Sequence, residues 1–160
     1  MFIQFLCFIQ VERILVGLID KKISVEPIED TMNLSIRGGL MFLYYDGLED
    51  ATRFYEDVLG FDLKLDRDWV KIFKYGEDCH VGLVDESMGS HRVMVEKSTR
   101  LQLMVEDAQS WLEYVKSRGL SPSRGELEEG KVLRIKAFSV VDPGGYTVEF
   151  CEYLTPYGDG

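Results

Sequence analysis

The sequence predicts an α+β fold in which one strand–helix–strand–strand–strand unit occurs twice. Two observations carry this prediction. An apolar strand followed by a single amphipathic helix begins near residue 40 and again near residue 100. In both places the helix is followed by short apolar runs separated by turn residues, as in antiparallel strands. One helix packed on one face of such a sheet gives an α+β module.

In the first copy, residues 40–45 form a continuous apolar strand. Asp46 and Glu49 then have the spacing of a capping box, and Gly60 suits the end of the helix. The helix carries its apolar residues at helical spacing: Ala51, Phe54, Tyr55, Val58 and Leu59. Three short strands complete the unit, at residues 61–65, 69–74 and 80–84.

The second copy repeats this order with a longer loop. Its first strand covers residues 100–105, and Gly119 ends the helix. The buried face of that helix is predicted from four apolar residues: Ala108, Trp111, Leu112 and Val115. A polar loop is predicted at residues 121–130, and strands at residues 132–140 and 147–153 close the unit.

Residues 1–31 do not belong to this pattern. Their uncharged apolar run is too short to span a bilayer, and no basic leader or cleavage site marks a secretory signal. Two interpretations remain: a non-native segment upstream of a physiological start at Met32, or an amphipathic element that covers a sheet edge or a subunit contact. The predicted organisation is a domain over residues 32–160, containing module 1 (about 36–86), a linker (87–97) and module 2 (about 98–154).

Composition and charge limit the classes of partner. The chain of 160 residues is 46% hydrophobic and 12% aromatic, which suits one domain with a substantial core and argues against disorder. Its net charge of −10, from 28 acidic and 18 basic residues, disfavours nucleic-acid binding, which rewards basic patches. The three cysteines lie far apart and lack metal-type spacing, which indicates reduced thiols. We therefore expect a cytoplasmic protein that binds neither nucleic acid nor a membrane.

A tight turn at residues 142–146 (Asp-Pro-Gly-Gly-Tyr) precedes a strand with a carboxylate in its middle. The two glycines are expected to supply the positive φ angles of the turn. Glu149 lies between Val148 and Phe150, which should face a packed layer. Since an unpaired buried charge is unfavourable, the Glu149 side chain is expected to face water, a polar cavity or a metal.

Two motifs together resemble a known family. One is the helix at residues 48–61, with its Phe-Tyr pair and its Leu-Gly-Phe end; the other is the turn at residues 142–146 with the Val-Glu-Phe that follows. They are similar to motifs of the vicinal oxygen chelate superfamily of glyoxalases, bleomycin-resistance proteins and extradiol dioxygenases, over about residues 36–153. The resemblance implies two βαβββ modules whose curved, mixed but mostly antiparallel sheet surrounds a small-molecule cavity. It places one helix per module on the outer face, and it implies a homodimer.

The resemblance also implies where a metal would lie. In metal-using members the ligands come from the first position of the first strand and the middle of the last strand of each module. These positions correspond to Leu40, Gly82, Arg100 and Glu149, and only the Glu149 side chain can coordinate a metal. Since a catalytic divalent ion usually takes about three protein ligands, we expect no metal and no other cofactor. If a metal is bound, Glu149 and His80 are its expected ligands. After a register shift, the third ligand would come from one of three residues: Gln102, Cys151 or Asp46.

Strand alternation predicts which side chains face the implied cavity. We expect seven ligand-binding residues there: Phe42, Tyr44, His80, Arg100, Gln102, Met104 and Glu149. A cation and a carboxylate in one apolar pocket should pair, so Arg100 and Glu149 form either a structural ion pair or a clamp for an anionic ligand. In the second case Tyr44 or Phe42 stacks on a planar part of the ligand. His91, in the polar linker, is interpreted as a solvated loop residue.

Three functions fit these expectations. The preferred interpretation is a metal-free protein that binds a small anionic or aromatic molecule in the cavity between the modules, as in the bleomycin-resistance branch. The alternative is a metal-dependent lyase, isomerase or dioxygenase of the same superfamily. The third is a domain with a vestigial pocket that binds a partner through its apolar N-terminal segment. The sequence shows no nucleophile–base pair, so no catalytic residue is predicted and enzymatic activity stays open.

Overall fold

The computed structural model describes residues 38–123, 127–130 and 134–155, and the predictions made for residues 1–31 lie outside these ranges. In chain order the elements are β1 (Gly39–Tyr45), α1 (Glu49–Arg53), β2 (Asp62–Arg67), β3 (Val70–Lys74), β4 (Cys79–Asp85), β5 (Arg100–Met104), α2 (Ala108–Ser117), β6 (Glu128–Gly130), β7 (Ile135–Val141) and β8 (Thr147–Tyr153). Helix α1 continues as a π-helical turn over Phe54–Val58. In the described ranges, no helix has the length and apolar character needed to cross a membrane.

The two modules have the same sheet topology. In the first sheet β1 pairs with β4 in parallel, and β3 and β2 follow in antiparallel order. In the second sheet β5 pairs with β8 in parallel, and β7 and β6 follow in the same way. The registers also correspond, since Leu40 lies opposite His80 and its counterpart Arg100 lies opposite Thr147. The predicted α+β fold with two βαβββ modules is therefore confirmed.

Strand β6 lies where the sequence predicts only a polar loop, so the last three residues of that loop prediction are wrong. Glu128 pairs with Ala137 of β7, and Gly130 pairs with Ile135. Both glutamates of β6 are exposed, because the strand forms the outer edge of its sheet. An exposed edge strand needs no apolar alternation, and its sequence therefore resembles a loop.

Helix α1 begins without the predicted capping box. Leu48 occupies the N-cap position, and no side chain caps it. Its backbone already has helical angles, whereas a capping side chain needs an extended N-cap residue. The prediction that Gly60 ends this helix is confirmed, since Gly60 has a φ of 72°, in the left-handed region that favours glycine.

In the turn between β7 and β8, the two glycines have different roles. Gly145 has a φ of 85°, as predicted, but Gly144 does not take a positive φ. A Cβ atom on Gly144 would lie 2.5 Å from the Tyr45 ring. Gly144 therefore allows close contact with a first-module side chain, a requirement that the local sequence does not reveal.

The helices pack on one face of the sheets, as predicted. Phe54, Tyr55, Leu59 and Leu112 are buried, and the half-buried Trp111 ring packs on Phe150 with its centroid 5.0 Å away. Alternate residues of the central strands face the helices, among them Leu43, Leu83, Leu101, Leu103, Val148 and Phe150. Buried residues of both modules belong to one cluster. The opposite face of each sheet is left for a site.

The Tyr146 hydroxyl joins the second module to the edge of β1. It donates to the Tyr44 carbonyl at 3.2 Å and accepts from the Tyr44 backbone N–H at 3.1 Å. Among the described residues, strand β1 is an edge strand of its sheet, and its backbone groups have no strand partner on that side. One side-chain hydroxyl thus supplies both hydrogen bonds that a neighbouring strand would otherwise make.

Candidate functional site

Several polar side chains lie at neighbouring positions on the face of the second sheet that is turned away from helix α2. Strand register places Gln102, Glu149 and Ser139 side by side on β5, β8 and β7. Arg100 and Thr147 form part of the next row. On β5, exposed and buried residues alternate, so these side chains point away from helix α2. The alternation predicted from the sequence, with Arg100, Gln102 and Met104 on one face of β5, is therefore confirmed.

Glu149 is held by two side chains from β5. Arg100 Nη1 donates to its Oε1 at 2.7 Å, and Gln102 Nε2 donates to its Oε2 at 2.8 Å. The Glu149 side chain is 17% exposed and that of Arg100 is 57% exposed. The carboxylate therefore meets a cation and an amide donor, as a partly buried charge requires. This is the ion pair between Arg100 and Glu149 that strand alternation and the opposite charges predict.

A cavity of about 220 Å³ opens at this ion pair. Its polar lining side chains are Arg100, Ser123, Glu128, Ser139, Thr147 and Glu149. All of them belong to the second module, so this cavity does not lie between the modules as the sequence analysis expects. Of the seven predicted ligand-binding residues, only Arg100 and Glu149 line it, while Gln102 positions Glu149.

In the first module, the position that corresponds to Glu149 is covered by an aromatic ring. A Cβ atom on Gly82 would lie 2.4 Å from Phe42 Cδ1, so the Phe42 ring rests directly on the glycine. Phe42 is itself 46% exposed. His80 lies opposite Leu40 and lines a separate cavity of about 370 Å³. The structure therefore places Phe42 and His80 on the first sheet, away from the cavity at Glu149.

Tyr44 and Met104 also lie outside the Arg100 cavity. The Tyr44 ring packs against His91, with centroids 5.1 Å apart, and its hydroxyl lies 2.9 Å from Ser90 Oγ. His91 is exposed, as predicted for a solvated residue, but it also contacts a strand side chain. Met104 is 67% exposed and lines a different depression, at the far end of β5.

Four polar lining residues of the cavity are not among the seven predicted ligand-binding residues: Ser123, Glu128, Ser139 and Thr147. Ser139 could have been found, because it alternates with the buried Phe138 and Val140 and lies opposite Glu149. Ser123 lies in a loop and Glu128 on an undetected strand, where periodicity gives no orientation.

The residues present do not fit the divalent metal that the resemblance associates with this face. Two of the four implied ligand positions are Leu40 and Gly82, which offer no donor side chain, and the Phe42 ring covers the second. A third is Arg100, whose guanidinium is paired with Glu149. Among the described residues, no group of three or more His, Cys, Asp or Glu is placed to hold a metal ion.

Cys151 lies two residues after Glu149 on β8. Burial raises the pKa of Cys151, and the negative charge of Glu149 raises it further. The thiol is therefore held in its protonated form at neutral pH, the form that is a weak nucleophile. Its environment is the opposite of the electropositive surroundings that activate a catalytic cysteine.

Solved structures with the same fold come from several bacteria. A protein of Nocardioides described as a glyoxalase, bleomycin resistance protein and dioxygenase is 17% identical, covers 94% of this chain and 97% of its own, and has a TM-score of 0.62. A lactoylglutathione lyase of Agrobacterium tumefaciens is 19% identical over 74% of this chain and 96% of its own, with a TM-score of 0.60. A virulence protein of Salmonella typhimurium is 21% identical over 76% of this chain and 99% of its own, also with a TM-score of 0.60. At such identities the similarity shows a common fold and no common activity.

The family is shown by a match to the sequence itself. No curated protein matches the chain. A family model does, over residues 39–150, from the first residue of β1 into the last strand. Its span covers most of both modules, including the helix-end motif and the Asp-Pro-Gly-Gly turn. The chain therefore belongs to the Glyoxalase/Bleomycin resistance protein/Dioxygenase superfamily.

Proposed function

We propose that this chain is a metal-free binding protein for a small anionic molecule, which is held by Arg100 at the cavity of the second sheet. The observation that carries the proposal is the arrangement of Arg100, Glu149 and Gln102. Gln102 fixes one carboxylate oxygen of Glu149, and the other oxygen fixes one end of the guanidinium. The rest of the guanidinium has no hydrogen-bond partner within the described ranges, and it lines the cavity. A guanidinium presented in this way suits a carboxylate or a similar anion.

Binding fits this site better than catalysis. A nucleophile needs an adjacent base or a lowered pKa, and the Cys151 thiol has a raised pKa instead. Ser123 and Ser139 hydrogen-bond to each other, and neither makes a hydrogen bond to a histidine within the described ranges. The alternative, a metal-dependent lyase, isomerase or dioxygenase, would need a set of metal ligands that the described residues of this face do not offer.

The test is a binding measurement by isothermal titration calorimetry with small carboxylates on the wild-type protein and three variants. Arg100→Ala should weaken binding by about tenfold to a hundredfold, the range expected for a charged hydrogen bond. Glu149→Gln should strengthen binding, because it removes the carboxylate that competes with the ligand for Arg100. Arg67→Ala is the matched control, since Arg67 is exposed and its guanidinium bonds only its neighbour's carbonyl in the described ranges. Equal effects of Arg67→Ala and Arg100→Ala would refute the proposal.

A homodimer and a cytoplasmic location stay predictions from the sequence. The homodimer is tested by sedimentation velocity over a range of protein concentrations. A single species with the mass of one 18.4 kDa chain at every concentration would contradict it.

A further inference from the structure

The cavity at Arg100 has a second chemical feature, a wall of hydrogen-bond acceptors. The Ser123 hydroxyl donates its single hydrogen to the Ser139 carbonyl at 3.0 Å, and the two hydroxyl oxygens lie 2.7 Å apart. Since Ser123 has no second hydrogen to give, Ser139 must donate in that contact. The lone pairs of the Ser139 oxygen then remain for a ligand, beside Glu149 in the strand register.

The two glutamates add to this wall. An ionised carboxylate offers about four acceptor sites, and Glu149 uses one on each oxygen for its contacts with Arg100 and Gln102. Glu128 brings a second carboxylate to the rim. Within the described ranges, Arg100 is the only cation among the side chains that line this cavity. The site therefore combines one strong cationic donor with several acceptors.

We infer that this cavity takes a small hydroxylated monocarboxylate, of the chemical class of the sugar acids. Its carboxylate lies on Arg100, and its hydroxyl groups donate to Ser139 and Glu149. The inference rests on the proposed function and names the ligand class of the same site. Acceptors need donors from the ligand, because an anion without hydroxyl groups would desolvate Ser139 and the carboxylates without replacing their hydrogen bonds to water.

The volume of the cavity and the charges of its lining narrow the class of ligand further. A volume of about 220 Å³ holds roughly seven waters at about 30 Å³ each, which suits an acid of a few carbons. Two carboxylates in the lining disfavour a doubly charged phosphate relative to a singly charged carboxylate. A planar aromatic acid would find no stacking partner in Phe42 or Tyr44, since neither lines this cavity. Phe138 does line it, but its side chain is 4% exposed and its ring stacks on Phe150. The aromatic ligand considered from the sequence is therefore not the one this cavity favours.

The experiment compares three probes by isothermal titration calorimetry with the full chain. Gluconate has the carboxylate and the hydroxyl groups, hexanoate has the same number of carbons with the carboxylate alone, and sorbitol has hydroxyl groups alone. We expect gluconate to bind at least about tenfold more tightly than hexanoate, the difference that one or two hydrogen bonds make. Sorbitol should bind too weakly to measure, because it offers no anionic group to Arg100.

Two substitutions at Ser139 locate the recognition of the hydroxyl groups. Ser139→Ala should weaken gluconate binding by about tenfold and leave hexanoate binding unchanged, because only gluconate uses the lost acceptor. Ser139→Thr retains the hydroxyl on a residue that strands accept, and it should keep gluconate binding. Ser90→Ala is the matched control, since Ser90 lies in the linker beside Tyr44. A thermal unfolding curve for each variant shows that it is folded.

The outcomes separate this inference from the proposed function. If hexanoate binds as tightly as gluconate and Arg100→Ala removes both, the hydroxyl recognition is wrong while anion binding stands. Tighter binding of benzoate than of gluconate would also overturn the inference. If no carboxylate binds, both the inference and the proposed function fall.

Discussion

Tyr45 Oη donates a 2.6 Å hydrogen bond to Asp142 Oδ2, which joins the first strand of one module to the last turn of the other. Tyr55 Oη donates to the same oxygen at 3.0 Å. Oδ1 accepts the backbone N–H groups of Gly144 and Tyr146, at 2.9 and 2.7 Å. Asp142 is only 4% exposed, and these four donors account for its burial.

Asp142→Ala should lower the free energy of unfolding by about 3 kcal/mol or more, because it leaves two buried hydroxyls and two backbone N–H groups without their acceptor. Urea unfolding followed by tryptophan fluorescence measures the change. Asp46→Ala is the control, since Asp46 is an exposed aspartate close to the same boundary. Equal losses for the two variants would contradict the assigned role of Asp142.

Alkaline pH should destabilise the protein through the same network. Burial raises the pKa of Tyr45 and that of Tyr55 above the usual value for tyrosine, and the neighbouring charge of Asp142 contributes to both shifts. The unfolded chain therefore loses these protons first. Each tyrosine contributes stability that is complete below about pH 10 and declines by about 1.4 kcal/mol per pH unit above it. Urea midpoints measured across this range should fall, and they should fall less steeply in Tyr45→Phe; parallel curves would rule out the linkage.

Helix α1 provides a test of the core. Phe54 is 4% exposed and packs edge-on against Tyr55. Phe54→Ala should lower the free energy of unfolding by about 3–5 kcal/mol, through lost burial and the cavity it leaves. Glu56→Ala, on the exposed side of the same helix, should change it by less than about 0.5 kcal/mol. A loss below about 1 kcal/mol for Phe54→Ala would mean that this helix face is not a packed core.

The contact between Phe42 and Gly82 is tested by a double-mutant cycle. Gly82→Ala should lower the free energy of unfolding by about 1–3 kcal/mol, because its new methyl group meets the Phe42 ring. In a Phe42→Ala background the same change should have almost no effect, which gives a coupling of similar size. Gly39→Ala on the neighbouring strand is the control, since a Cβ atom there meets no atom within 4 Å. Independent effects of the two substitutions would show that the ring lies elsewhere.

Metal content tests the alternative that the chain is a metal-dependent enzyme of the superfamily. Protein purified without added metal or chelator should carry far less than one zinc, nickel, iron or manganese ion per chain, because three of the four implied positions hold no donor. Elemental analysis measures this directly. A content near one ion per chain that Glu149→Ala abolishes would favour the metal-dependent lyase, isomerase or dioxygenase. Further loss in His80→Ala would identify a second ligand.

Particular residues show which features of the candidate site can be predicted from the sequence and which cannot. Strand alternation correctly puts Arg100 and Glu149 on one face of the second sheet, where they form an ion pair, because the period of two is a local property of each strand. Alternation does not show which strands enclose the cavity, so it groups Phe42, Tyr44 and His80 with side chains that lie on another sheet. The hydrogen bond from Tyr45 to Asp142 spans 97 residues. No local pattern encodes such a contact, since it depends on how the two modules pack.

The hydroxyl of Tyr146 on the edge of β1 and the carboxylate of Asp142 have a consequence for the order of synthesis. Both lie in the last turn of the second module, about 100 residues after the strand they complete. Until this turn is synthesised, the hydroxyls of Tyr45 and Tyr55 lack the Asp142 carboxylate that accepts from both, and among the described residues the outer edge of β1 lacks its Tyr146 partner. We expect the sheet and helix of the first module to form earlier and its final packing to wait for the second module. Pausing of translation before residue 142 would therefore prolong a state that can pair wrongly with other chains.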